Sequence, residues 1–374
     1  MLREMDPSYP LKVYELGGGM GTCAVGVLDH IRKEAPEVYG RMSYTSVEIS
    51  PNLAKCQEHA VGHVAGHGSK RGGGGGGGGG SGPYRVERRD ATDRAGWGGV
   101  DARPCFVIAL EVLDNLPHDR LCRRNSGGNS SSDGSSSSGG DEGGEWMQTR
   151  VVAAAAAAAD SSGVGGEKRE NLLEEITEPL TDPLLARTSA AMELRPGGLW
   201  EAARRALDAV TGRPEIVYVP TGSMALLEAL HATRPRHRLI AADFDALPGV
   251  RMSGTNAPLV ASQEQGGKSM DHDSYLENPG GADVFFPTDF DNLVRIDAAA
   301  AARTTRSSRS GGGGGKGDVH GDDDDKDIDS RVKHGVVETT RDFMMRHADL
   351  TQTATASGYN PLLQDFSNTK FFLS

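Results

Sequence analysis

The chain has 374 residues, of which 51 are glycine and only 5% aromatic, and it carries a net charge of −12 with a pI near 5.4. Phosphate binding needs a basic face, so this acidic balance argues against a nucleic-acid partner and favours a cationic one. No run of eighteen apolar residues occurs, which excludes a helix that crosses a membrane.

The first element in chain order is a strand at Lys12–Leu16, and a helix follows with Ala24, Leu28 and Ile31 on one face before Pro36. Between them lies the turn Gly17-Gly18-Gly19-Met20-Gly21. Tyr44–Ile49 reads as a second strand, after which Ser50 supplies an N-cap and Pro51 a first helical position. Leu53, Cys56 and Ala60 then share a helix face. Tyr84–Arg88 is a weaker third strand, and CFVIAL at Cys105–Leu110 is the continuous apolar run of a central parallel strand. Glu215–Val219, a helix from Ser223 to about Thr233, and Arg238–Ala242 repeat the alternation. Such alternation predicts an α/β fold with a mostly parallel sheet, and ligands of such folds bind beyond the carboxyl ends of the strands.

Low-complexity tracts interrupt this pattern at 66–82, 123–145 and 303–330, the first with nine consecutive glycines. They read as disordered insertions in one domain over 11–374, tolerated because loop-closure entropy grows slowly with length. The acidic run Asp322–Asp325 in the last tract reads as a solvated loop. Cys23 and Cys105 lie in apolar runs and no CxxC pair occurs, a pattern of buried thiols in a reducing compartment. The opening MLREMDPSYP resembles neither a signal nor a transit peptide.

The glycine turn is the first candidate site. Gly17, Gly19 and Gly21 allow positive φ and close approach of a ligand to the backbone. Two cofactors remain open. Gly19 to Ala24 fits the dinucleotide pattern G-x-G-x-x-A, with a pyrophosphate on the helix N-terminus. Alternatively, Glu15 before the turn and Glu48 at the end of the second strand suit S-adenosylmethionine. Glu15 would repel a pyrophosphate but attract a cationic methionine moiety, and Glu48 can accept both ribose hydroxyls. Asp90, past the third strand, is a candidate for the adenine end.

Glu111 and Asp114 directly follow the fourth strand, at the rim that carries the turn. A pair of carboxylates there can hold a guanidinium bidentately and aim one nitrogen at a methyl group. His59, His63 and His67 recur every four residues, but Gly62, Gly66 and Gly68 weaken a helix there, so no metal site is expected. Arg85, Arg88 and Arg89 read as a solvated edge.

YELGGGMGT (14–22), SVEISPNLAKCQ (46–57) and ALEVLDNLP (109–117) resemble three successive motifs of the MidA family, a mitochondrial and bacterial methyltransferase group. RLIAADF (238–244), DVFFPTDF (283–290) and GYNPLLQDF (358–366) extend the resemblance over most of the non-repetitive chain. It implies a Rossmann-like class I S-adenosylmethionine-dependent methyltransferase fold. It also implies symmetric ω-dimethylation of arginine on a protein substrate, a respiratory complex I subunit during assembly, in the mitochondrion. Leu110 stands where the family has Asn and Pro287 where it often has His, and the family's segment ahead of the first strand is missing. These departures keep open a catalytically inactive assembly factor, while an NAD(P)-dependent oxidoreductase is the alternative from the glycine pattern.

Overall fold

The computed structural model describes residues 9–68, 82–123, 145–153, 173–194, 214–264, 266–310 and 335–374. In chain order its strands are β1 (Lys12–Leu16), β2 (Ser43–Glu48), β3 (Tyr84–Arg88), β4 (Cys105–Leu110), β5 (Asp119–Arg123), β6 (Met147–Ala153), β7 (Leu173–Pro179), β8 (Glu215–Val219), β9 (His237–Phe244), β10 (Leu259–Gln263), β11 (Ser269–Asp271), β12 (Asp283–Phe285), β13 (Val336–Thr339) and β14 (Thr369–Leu373). The longer helices are α1 (Thr22–Glu34), α2 (Pro51–Gln57), α3 (Pro183–Ala191), α4 (Thr221–Thr233), α5 (Phe290–Ser310) and α6 (Thr340–His347). They fall into two compact units, one of 1–116, 222–246 and 288–374, the other of 117–221 and 247–287.

The first unit is built on a seven-stranded sheet in the order β3-β2-β1-β4-β9-β14-β13. Strands β3, β2, β1, β4 and β9 run parallel, and β14 lies antiparallel between β9 and β13. Numbered along the chain, the order is 3-2-1-4-5-7-6. This is the doubly wound arrangement that the resemblance implies, and its strand order reverses at β1, the point beyond whose strand ends such sheets bind ligands.

Packing follows from the pattern of apolar residues. On α1, Ala24 and Leu28 are fully buried against Val13, Tyr44, Tyr84 and Phe106 of the sheet, together with Val61. Arg32 and Lys33 fall in its last turn, where cations suit the helix dipole. The Ser50 side chain caps α2 by accepting from the Leu53 N–H at 3.3 Å, and Pro51 takes the first helical position as expected. Beyond Gln57 the helix continues in π geometry through Glu58–Val64. Gly62, expected to weaken a helix there, is accommodated within that segment, which ends at Val64 before Gly66 and Gly68. His59 and His63 face each other there at 6.3 Å, while His67 is buried between Tyr39 and Asp29. No group of potential metal ligands forms among the described residues.

The second unit holds an antiparallel sheet, β7-β6-β5-β8, and a smaller one, β11-β10-β12. Here the sequence reading is corrected. Glu215–Val219 was expected to join the parallel sheet, but β8 pairs antiparallel with β5. An apolar run reports that a strand is buried, not which strand it pairs with. Asp182 caps α3 by accepting from Leu185 N–H at 2.8 Å. His118 stacks on Phe286 with ring centroids 4.0 Å apart.

Most of the three low-complexity tracts lie outside the described residues. Their margins are structured where described: Gly68 bridges to Tyr84, and α5 runs to Ser310, so the tract assigned from 303 begins as helix. Cys105 is buried and Cys23 partly so, both as free thiols. Among the described residues no helix is long and apolar enough to cross a membrane.

Among the positive-φ glycines, Gly21, the residue before α1, has the closest neighbour. Its φ is +88°, and a Cβ there would come within 2.6 Å of Val61 Cγ2. Gly21→Ala should therefore cost about 2–4 kcal/mol, from left-handed strain plus overpacking. Urea denaturation is the measurement, and Val61→Ala in the same chain should recover part of the loss by removing the clash but not the strain.

Candidate functional site

Gly17, Gly19 and Gly21 all have positive φ, so the turn after β1 coils in a way that side chains would resist. Gly17 N–H donates to Val47 C=O at 3.0 Å and Gly21 N–H to Gly18 C=O at 2.8 Å. A Cβ on Gly19 would meet nothing within 4 Å, whereas one on Gly18 would lie 2.9 Å from Glu15 Oε2. The turn is thus open above and seated on Glu15 below. Glu15 is only 3% exposed, and burial pushes its carboxyl up, opposed by hydrogen bonds that include one donated by Ser46 Oγ at 3.3 Å. Tyr84 O–H in turn donates to Ser46 Oγ at 3.0 Å. Burial pushes the neighbouring Cys23 thiol up to about 12, with the Glu15 charge adding to the effect, so it stays protonated.

Glu48 ends β2, also buried. Its Oε1 accepts from Ser50 N–H at 2.8 Å and its Oε2 from the Gln57 amide at 3.1 Å. That same amide donates to Gly19 C=O at 2.9 Å. Arg89 N–H donates to Glu48 C=O at 3.1 Å, which brings the loop after β3 to the same rim. Asp90 on that loop is exposed, and its Oδ1 accepts from both the N–H and the hydroxyl of Thr92 at 2.8 Å. One of its oxygens is therefore committed to its own loop.

The segment after β4 is held by a residue to which the sequence assigned no role. Asp243, fully buried on β9, accepts through Oδ2 from the N–H groups of Val112 at 3.2 Å, Leu113 at 2.8 Å and Asp114 at 3.2 Å. Its Oδ1 accepts from Phe244 N–H at 2.8 Å. The folded segment lays Val112 against the glycine turn, 3.1 Å from where a Gly17 Cβ would be. Glu111 adopts φ +52° and stays exposed, a strained conformation for a glutamate that the surrounding bonds hold in place. Asp114 is buried, its Oδ1 takes the Asn115 amide at 2.6 Å, and burial pushes its carboxyl up, with Glu111 adding to the effect.

All eight residues singled out in the sequence thus sit in loops or strand ends at the carboxyl rim of one sheet. Three are tied into two bonded networks, Glu15 through Ser46, and Glu48 with Gly19 through Gln57, while Gly17 and Gly21 shape the turn between them. Glu111 and Asp114 belong to the segment fixed by Asp243, and Asp90 stands apart. Asp243 could have been found in RLIAADF, because an acid at the end of an apolar strand is the same signal that marked Glu48. Gln57 closes the motif SVEISPNLAKCQ but was assigned no role.

Residues 1–308 match the family model of S-adenosyl-L-methionine-dependent methyltransferases named Methyltransf_28. The chain belongs to this methyltransferase family. S-adenosylmethionine is accordingly its cofactor, and the dinucleotide alternative falls. The methyltransferase is 29% identical over 122 residues to "Protein arginine methyltransferase NDUFAF7 homolog, mitochondrial" of Schizosaccharomyces pombe. That match takes in 32% of this chain and only 23% of the relative, less than a quarter of its length. Among solved structures it is similar to a Burkholderia thailandensis protein bound to S-adenosyl-homocysteine, at 13% identity and a TM-score of 0.49, covering 97% of this chain and 70% of that one. A native structure of an uncharacterized protein from the same organism is similar at 13% identity and a TM-score of 0.48, covering 97% and 73%.

Asp243 links the stability of the segment after β4 to pH. Burial, with the Asp114 charge second, raises its carboxyl from 3.8 to about 7, against the pull of the backbone N–H groups. The native state therefore binds more protons than the unfolded chain between these values. The stability tied to that proton is complete below about pH 3.8 and is lost as pH rises through about 7. Asp243→Asn cannot titrate, so the wild-type advantage in urea midpoint should shrink from pH 4 to 7.5. A difference independent of pH would contradict this.

Proposed function

We propose that this methyltransferase transfers the methyl group of S-adenosylmethionine to arginine on a protein, by symmetric ω-dimethylation of a respiratory complex I subunit in the mitochondrion, and that residues 11–374 act as one methyltransferase domain. The observation that carries the arginine reading is the Asp243-anchored segment, which presents the exposed Glu111 beside the buried Asp114 at the rim of the glycine turn. The name of the fission-yeast relative supports the protein-arginine and mitochondrial parts.

The residues present fit the cofactor. Gly19 leaves room for a ligand against the backbone, and Glu15 under the turn suits the cationic methionine end. Glu48, at the end of β2, accepts the ribose hydroxyls, and Asp90 serves the adenine end. When bound, S-adenosylmethionine supplies a methyl group on a positively charged sulfur, already a good leaving group. The chain's contribution is proximity and a matched negative field. Glu111 and Asp114 grip the guanidinium, point one nitrogen along the line of transfer, and exclude water on the Asp114 side. Asp114, buried and with its carboxyl pushed up, takes the proton that the guanidinium nitrogen releases.

One observation favours the second reading, an assembly factor without turnover. Leu110 is 37% exposed at the rim, where the resemblance expects an asparagine amide, and it offers no hydrogen bond to a substrate. The two readings separate in one assay. Glu111→Gln should leave S-adenosylhomocysteine affinity by calorimetry unchanged but lower transfer of labelled methyl to mitochondrial protein by about two orders of magnitude. If the wild-type chain binds the cofactor yet transfers nothing, the scaffold reading replaces the enzyme.

A further inference from the structure

The cofactor reading leaves the two halves of the site, the glycine turn and the ribose acid, on different loops. One side chain joins them. Gln57, the last residue of α2, is fully buried, and both donors of its amide are used, one on Gly19 C=O at 2.9 Å and one on Glu48 Oε2 at 3.1 Å. Since a carbonyl and a carboxylate can only accept, this pair fixes which end of the amide is nitrogen. The Gln57 Oε1 is left buried without a partner among the described residues. A leucine would fill the same volume without leaving an acceptor unpaired, so packing alone does not account for an amide here.

We propose that Gln57 is a positioning residue for the cofactor, whose amide locks the Gly19 carbonyl and the Glu48 carboxylate into one geometry. The turn for the methionine end and the acid for the ribose are then set together. This rests on the assignment of Glu48 to the ribose hydroxyls. With Gln57 in place, Glu48 Oε1 is held by Ser50 N–H and Oε2 by the amide. The carboxylate is therefore pinned through one lone pair on each oxygen, which leaves a further lone pair on each for the ribose hydroxyls. Without Gln57, Oε2 is free to rotate and the inner support of the turn at Gly19 is gone. The cofactor then has to order both groups itself, which weakens binding without removing a direct contact.

The test uses the full chain, S-adenosylhomocysteine, and its 2′,3′-dideoxy analogue, with affinity from calorimetry and folding from thermal denaturation. Gln57→Leu should keep a cooperative melt and weaken S-adenosylhomocysteine binding about tenfold, or about 1.4 kcal/mol. Against the dideoxy analogue, which has nothing for Glu48 to hold, the loss should be about threefold or less. Gln57→Asn, too short to reach both acceptors, should behave like Gln57→Leu. Wild-type affinity in Gln57→Leu would overturn the proposal, and so would an equal loss for both ligands, which would mean general loosening. A wild-type chain that binds S-adenosylhomocysteine and its dideoxy analogue equally would instead overturn the ribose role of Glu48, and the proposal with it.

Discussion

The carboxylate of Asp243 organises the methyltransferase rim. Three successive backbone N–H groups, at 112–114, converge on one of its oxygens, so the chain leaving β4 must curl tightly over the sheet edge instead of running on. That curl forces Glu111 to positive φ, buries Asp114, and lays Val112 against the glycine turn. Buried N–H groups without acceptors would each cost about 1–3 kcal/mol, so the segment keeps its shape only while the carboxylate is there. Burial first, and the nearby Asp114 charge second, make ionisation of Asp243 costly and push its carboxyl up.

The rest of the rim shows the same economy of buried acids. Glu15, Glu48, Asp114 and Asp243 are each nearly inaccessible, and each accepts hydrogen bonds from backbone, hydroxyl or amide groups and not from a lysine or arginine. Burial raises the carboxyls of Glu15, Asp114 and Asp243, and where these acids ionise no lysine or arginine among their hydrogen-bond donors cancels the charge. A cofactor carrying a sulfonium and an ammonium suits such a field, whereas a pyrophosphate would be repelled. Family membership and local electrostatics therefore point to the same cofactor by independent routes.

Two arginines of the first unit, Arg234 and Arg89, serve its frame. Arg234 is buried and donates to the carbonyls of Trp97, Gly99 and Thr233 and to the Tyr14 hydroxyl, tying the loop between β3 and β4 to the start of β9. Arg89 stacks on Trp97 at 3.9 Å and reaches Glu87. The arginine cluster read from the sequence as a solvated edge is, at Arg89, a packing element: its planar guanidinium covers an indole face, a contact that spacing along the chain does not reveal.

Local sequence determined the pieces of this protein. Alternation of apolar runs and helical faces set β1 to β4, α1 and α2 in place. Glycines in a strand-to-helix turn announced positive φ, and Ser50 with Pro51 announced a helix start, because each depends on a few neighbouring residues whose preferences are intrinsic. The acids at the ends of β1, β2 and β4 were legible for the same reason. Tertiary structure alone decided which strands pair, sending β8 to an antiparallel sheet although its apolar pattern matches a parallel strand. It alone brought Asp243 to residues about 130 positions earlier, and Gln57 to Gly19 across the strand between them. Hydrogen bonds of that reach depend on register and on the order of strands in the sheet, and neither is written in the periodicity of any one segment.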